Sequence, residues 1–246
     1  MDTGRLIIDS PAEGAWNMAV DEALLDSCRR TGMPTLRFYQ WSKATLSLGY
    51  FQRHRDREQH VASRDCPLVR RSTGGRAIIH DQELTYSYIV PIADRLSQEV
   101  KHLYRLFHDS LVQSLSSWNI TAERLTQVTN KGDPKEFLCF KRHTAGDVVI
   151  GKHKVAGSAQ RRRQQSVLQH GSVLLQQSCA APELPGIVDL TGISIAIEDL
   201  ARSWADQMQN HLCIMFDESG LTDVEVASAE RIRAGKFAAS GWTKRR

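Results

Sequence analysis

Apolar and polar residues alternate along the chain with two periods, and the switches between them mark its elements. The stretch 5–9 reads as a strand, after which Ser10, Pro11 and Glu13 supply an N-cap, a proline at the first helical position and a capping-box glutamate. A helix is therefore predicted from that point. Trp16, Ala19, Val20, Ala23, Leu24 and Ser27 recur at helical spacing as its buried stripe, with Cys28 beside them, and Gly32 stops it after Thr31. Short alternating or apolar runs at 36–41, 45–48, 67–70, 77–80 and 84–90 are separated by polar or glycine-bearing turns and predict strands. A helix over 97–118 follows, then strand-like pieces at 137–140, 147–150, 154–156 and 167–175. Helices over 195–216 and 224–236 complete the pattern.

Strands in runs, with few strict strand-helix-strand repeats, favour an α+β layer architecture over a doubly wound parallel sheet. Composition narrows the picture further. The 246 residues, 41% of them hydrophobic, suit one sizeable core, so a single catalytic domain over 1–246 is expected. A formal net charge of +4 is only mildly basic, far from the strong bias of a dedicated nucleic-acid binder, so no nucleic-acid partner is expected. The first residues lack a basic segment followed by a long apolar one, and no stretch approaches the ~18 apolar residues of a membrane span, so a cytoplasmic protein without membrane contact is expected. Five cysteines without a CxxC pair argue against a disulfide framework or a metal site.

Three segments carry candidate chemistry. In the first, Arg70 to Ala77, Gly74 and Gly75 sit among Arg70, Arg71 and Arg76, and glycine backbone N–H groups can approach an anion or an acyl carbonyl closely. The plainer alternative is a tight hairpin with solvated arginines. In the second, Lys154 precedes the small residues Ala156, Gly157, Ser158 and Ala159, which leave room for a ligand against the backbone, although a turn with a surface lysine has the same pattern. Arg161, Arg162 and Arg163 follow as a solvated face or docking patch. In the third, Cys139 lies in the apolar run 137–140, where a cysteine alone reads as a small buried hydrophobe.

Taken in order, these segments resemble the lipoate branch of the biotin/lipoate A/B protein ligase superfamily over most of the chain. The resemblance rests on 17–25, on 36–41 with 46–52, on Arg70-Arg71 through Gly74-Gly75-Arg76-Ala77 to His80-Asp81, and on Lys154 through Gly157-Ser158-Ala159-Gln160 to Gln169-His170-Gly171-Ser172. It implies a mixed, largely antiparallel sheet with flanking helices, like the catalytic domain of class II synthetase-like ligases. Two reactions exist in that branch. Lipoate-protein ligases use ATP to make an acyl-adenylate, commonly carry a C-terminal accessory domain and need no nucleophilic cysteine. Cysteine-dependent octanoyltransferases are single-domain proteins of about this size with Cys-Phe ahead of the lysine motif, as in Cys139-Phe140 here.

The resemblance to the octanoyltransferases implies Cys139 as nucleophile and Lys154 as the residue that activates it. It implies octanoyl-acyl carrier protein as donor, a lysine of a lipoyl-domain or glycine-cleavage H-type protein as acceptor, and no cofactor, ATP and Mg belonging only to the ligase alternative. Arg71, Thr73, Gly74, Gly75, Arg76, Ala77, His80, Gly157, Ser158, Ala159, His170 and Gly171 are the expected substrate-binding residues, with no metal ligand among them. The chemistry is coherent. Free cysteine with a pKa of ~8.5 is under ~10% thiolate at neutral pH, and a neighbouring ammonium increases that fraction. The arginines at 70, 71, 76 and 161–163 are expected to dock acidic partners. A non-catalytic binding module is the remaining alternative from a different class.

Overall fold

Strand β2 (Thr35–Tyr39) alternates so that Leu36 and Phe38 enter one apolar cluster while Tyr39 enters another on the opposite face, and this split organises the molecule. The computed structural model describes residues 2–92, 97–128, 133 and 135–245. Its main sheet contains β1 (Asp2–Ile8), β2, β6 (Glu83–Pro91), β7 (Glu123–Arg124), β8 (Val148–Ile150), β9 (His153–Arg163), β10 (Ser166–Leu174) and β11 (Ile214–Glu218), in the order β11-β1-β2-β6-β10-β9-β8-β7. The β11-β1-β2 end is parallel and all the other pairings in this sheet are antiparallel. A second sheet sets β3 (Thr45–Leu48) between β4 (Leu68–Arg70) and β5 (Ile78–His80).

Helices cover both faces of the main sheet. On one, α1 (Gly14–Thr31) packs Met18, Ala19, Ala23 and Leu24 with Ile7, Tyr39, Ile89 and Leu168, and α5 (Asp223–Ile232) adds Ala229. On the other, α2 (Ser97–Ser116) and α4 (Ile197–Leu212) bring Phe107, Leu111, Trp204 and Met208 against Phe38, Tyr86 and Tyr88. The fully buried Trp204 ring stands edge-on to Tyr86 at 4.8 Å, and its Nε1 donates to Ser110 Oγ at 2.9 Å. A short helix, α3 (Ile187–Thr191), precedes α4.

The α+β architecture expected from the pattern is the one observed, and four local expectations are corrected. Helix α1 begins at Gly14 with Glu13 at the N-cap, because the chain stays extended after β1: Asp9 N bonds Phe38 O and Ala12 N bonds Gln40 O. Those bonds hold Ser10 and Pro11 outside the helix. The run 137–140 does not remain a strand; Leu138 bridges Ala77, and the chain then turns into a 3-10 helix at Cys139–Lys141. The predicted helix 195–216 stops at Leu212, where Cys213 takes a left-handed φ of 54°, and Ile214 starts β11 beside β1. Finally, β4 and β5 flank β3 instead of pairing with each other, so Gly74-Gly75 is a crossover loop and not a hairpin turn.

Candidate active site

Antiparallel pairing of β9 with β10 joins two of the sequence motifs. Gly157 lies opposite Ser172, Ser158 opposite Gly171 and Ala159 opposite His170. The Gly74-Gly75 loop and the Cys139 turn face that ladder across a cavity of about 230 Å³. Its walls include Cys139, Lys154, Arg71, Gly74, Gly75, Arg76, His80, Gly157, Ser158, Ala159, His170 and Gly171, twelve of the fourteen residues predicted from sequence. Thr73 and Ala77 stand behind the lining. Thr73 Oγ1 lies 2.7 Å from His170 Nε2, and Ala77 O accepts from Cys139 N at 2.8 Å, so each fixes a neighbour that does face the cavity.

Lys154 is buried, with only 3% of its side chain exposed, which overturns the surface-lysine alternative. Its Nζ lies 4.0 Å from Cys139 Sγ and 2.8 Å from Asp147 Oδ2, while Asp147 is itself 1% exposed. A buried ammonium needs such a partner to remain charged. Gly157 leaves this ammonium its space, since a Cβ there would lie 2.7 Å from Lys154 Cε. At Gly157, therefore, the room is taken by the lysine itself.

Arg71 has a different environment. Its guanidinium donates to Ser47 O at 3.0 Å, Gly74 O at 2.8 Å and Arg76 O at 2.6 Å, and so folds the glycine loop around itself. All of its hydrogen bonds among the described residues end on neutral oxygens. Burial pulls Arg71 down to about 10 against an opposing influence from Cys139, leaving it cationic at neutral pH. Arg70 is fully buried and holds the backbone oxygens of Gly49 (2.9 Å), Gln52 (2.7 Å), Thr243 (3.1 Å) and Arg245 (2.9 Å). Arg70 and Arg71 therefore cannot dock a partner, contrary to the sequence expectation. Within the 161–163 run, Arg161 donates to Ser72 O and Arg163 pairs with Asp26 at 3.2 Å, which leaves Arg162 exposed.

Both expected histidines line the cavity, each anchored from behind. His80 Nδ1 lies 2.6 Å from Glu83 Oε1 and its ring stacks on Trp41 at 3.9 Å. His170 Nδ1 donates to Asp21 Oδ2 at 3.3 Å. Burial alone would raise Asp21, but the His170 hydrogen bond and the Arg37 charge hold its carboxyl below the usual range.

Met18, Tyr39, Thr85, Phe140, Arg142, Thr144, Asp147 and Ser172 also line the cavity and were not predicted as site residues. Alternation along β6 and β10 places Thr85 and Ser172 in register, so those two left a readable signal. Asp147 left only the start of a predicted strand.

With this geometry in place, comparison with known proteins is informative. The model of the lipoyl protein ligase A/B catalytic domain matches residues 13–184. The chain belongs to that family. Family members similar to it over their full length include the octanoyltransferase LipM of Brevibacillus brevis, 31% identical with all of both chains covered. The octanoyltransferase LipM of Clostridioides difficile is 34% identical over 92% of this chain and 93% of its own. An acyltransferase assignment follows. The fold is shared with a putative lipoate protein ligase from T. acidophilum with bound lipoic acid, at a TM-score of 0.81 and 22% identity over 98% of this chain and 99% of that one. A lipoate-protein ligase A bound with ATP superposes equally well, again at 0.81 and 22% identity, over 98% of each chain.

Proposed function

We propose that the octanoyltransferase activity of this chain, a step of lipoate biosynthesis, runs through a thioester on Cys139 within one catalytic domain and without a nucleotide. The observation that supports this most directly is the approach of Lys154 Nζ to 4.0 Å from Cys139 Sγ on the wall of a shared cavity. Cys139 thiolate attacks the carbonyl carbon of an octanoyl thioester on acyl carrier protein. The bond to the carrier sulfur breaks, and that sulfur leaves with a proton from Lys154. The acceptor lysine amine of a lipoyl-domain or glycine-cleavage H-type protein then attacks the octanoyl-Cys139 carbonyl. It gives its surplus proton to the now neutral Lys154, and the amide forms as Cys139 thiolate departs.

The two cations divide this work. Lys154 and Asp147 form an ion pair, so together they contribute little net charge, but the pair can hold and return a proton. Arg71, bonded to neutral oxygens, supplies the positive charge that favours a thiolate and an oxyanion beside it. Backbone N–H groups of the Gly74-Gly75 and Gly157-Ser158 segments are the candidate oxyanion donors. Burying an octanoyl tail gains about 0.8 kcal/mol per CH2, which suits an apolar-lined cavity. We place the reaction in the cytoplasm; among the described residues no helix is long and apolar enough to cross a membrane.

Intact-mass spectrometry after mixing the enzyme with octanoyl-acyl carrier protein, without ATP, tests the route. A hydroxylamine-labile octanoyl adduct on wild type and none on Cys139→Ala is expected. Adduct or product formed only when ATP and free acid are supplied would replace this reading with a ligase.

A further inference from the structure

Behind the cavity, helix α2 carries Tyr104 and His108 one turn apart, so both face the same side of the helix. His108 is 1% exposed, and its two ring nitrogens are both engaged. Nδ1 contacts Gly146 O, and Nε2 lies 2.6 Å from Ser158 Oγ. The hydroxyl of Ser158 is in turn 2.7 Å from Tyr86 Oη, which accepts from Gln169 Nε2 at 2.7 Å. Gln169 Oε1 accepts from Gln160 Nε2 at 2.6 Å.

A carbonyl oxygen only accepts, so Nδ1 must carry a proton. With His108 neutral, Nε2 accepts from Ser158, Ser158 accepts from Tyr86, and every donor in the chain from Gln160 to Gly146 is assigned in one direction. Burial keeps His108 neutral by pulling it down to about 4, against the Gly146 hydrogen bond and the Asp147 charge, with Lys154 and Arg124 acting in the same direction as burial.

The two ends of the imidazole hold two different parts of the site. Ser158 belongs to the cavity wall, next to Gly157. Gly146, at φ 101°, lies within the turn 144–147 that delivers Asp147 to Lys154. Tyr104 completes the grip by donating to Asp147 Oδ1 at 3.2 Å while its ring packs where a Gly146 side chain would stand. We propose that neutral His108 is a positioning residue for acyl transfer, which fixes the Gly146 carbonyl and the Ser158 hydroxyl and so sets the Asp147–Lys154 pair against Cys139. This rests on the thioester reading above.

The side chains that replace it should separate the two anchors. Asn reproduces a donor at the Nδ1 position and keeps the hold on Gly146; Gln reproduces an acceptor at the Nε2 position and keeps only Ser158; Leu keeps neither. The rate of octanoyl-Cys139 formation is measured with KM for the acyl carrier, alongside the pH profile of iodoacetamide labelling at the Cys139 peptide. For His108→Leu we expect a rate lower by about 30-fold, as befits misplacement of catalytic groups, with KM nearly unchanged and a displaced labelling midpoint. His108→Asn should recover most of the rate and midpoint, and His108→Gln less.

If His108→Leu does not fold, the Asn and Gln variants decide the matter, and equal rates and midpoints in both would overturn the assignment. Wild-type rate and midpoint in a folded His108→Leu would overturn it while leaving Cys139 acylation intact. Full transfer by Cys139→Ala would remove the thioester reading, and this inference with it.

Discussion

The buried charges around Arg37 and those around Cys139, on either side of His170, are built on opposite rules. Around Arg37 every charge is answered: its guanidinium meets Asp9 at 2.7 Å and Asp21 at 2.8 Å, and Tyr39 Oη donates to Asp21 at 3.0 Å. Around Cys139 the answer is incomplete. Lys154 has Asp147, but the hydrogen bonds of Arg71 end on neutral oxygens, and the cluster opens onto the cavity. A closed cluster fixes α1 to β2 and thereby anchors His170; under the proposed mechanism, an open one leaves positive charge for an anion that forms only during reaction. Burial of charge alone does not mark a catalytic centre.

Substitutions can break that contrast. The largest effect belongs to Cys139→Ala, which should lower transfer from octanoyl-acyl carrier protein by about 10⁴-fold or more, read by product formation on the acceptor. Lys154→Met should cost about 10² to 10⁴-fold in the same assay and, because it strands Asp147, should also lower the unfolding midpoint. Arg37→Met leaves two carboxylates uncompensated and should cost about 3 to 5 kcal/mol in denaturant unfolding, while the acylation rate of the folded fraction changes far less. A loss of rate matching that of Lys154→Met would erase the distinction between the clusters.

A smaller effect comes from His108 and depends on pH. Its folded pKa of about 4 lies below the ordinary 6.5, so above pH 6.5 neither state binds the proton and His108 contributes no pH dependence. Between 6.5 and 4 the unfolded chain takes up the proton and the folded one does not. Stability therefore falls with acidity across that window, by roughly 3 kcal/mol in total. Urea unfolding at pH 7 and pH 4 should show this increment in wild type and lack it in His108→Gln.

The sequence revealed contiguous features and concealed those assembled across distance. Gly32 does end α1 in a left-handed conformation, and Thr45–Leu48 is a strand with the predicted bounds, because a stop signal and a short apolar run are local. Strand β11 was missed because Ile214, Met215 and Phe216 extend the apolar character of the preceding helix, and only pairing with β1 makes them a strand. The cavity wall was legible wherever a motif ran unbroken, as in 74–76 and 157–159. Asp147 and His108 were not: their roles depend on contacts with Lys154, Gly146 and Ser158, separated along the chain and brought together by α2 and the β8–β9 turn. Arg70 and Arg71 misled for the same reason, since nothing in a run of arginines tells which carbonyls will surround it.

Arg70 also ties residues 243–245 to the segment that carries the glycine loop. By holding the carbonyls of Thr243 and Arg245 together with those of Gly49 and Gln52, it fastens residues 243–245 to the strand that leads into the Gly74-Gly75 loop. Trp242 returns the contact through Nε1 to Arg70 O at 2.8 Å. Loosening residues 242–245 would thus act on the strand that carries Arg71 to the cavity wall.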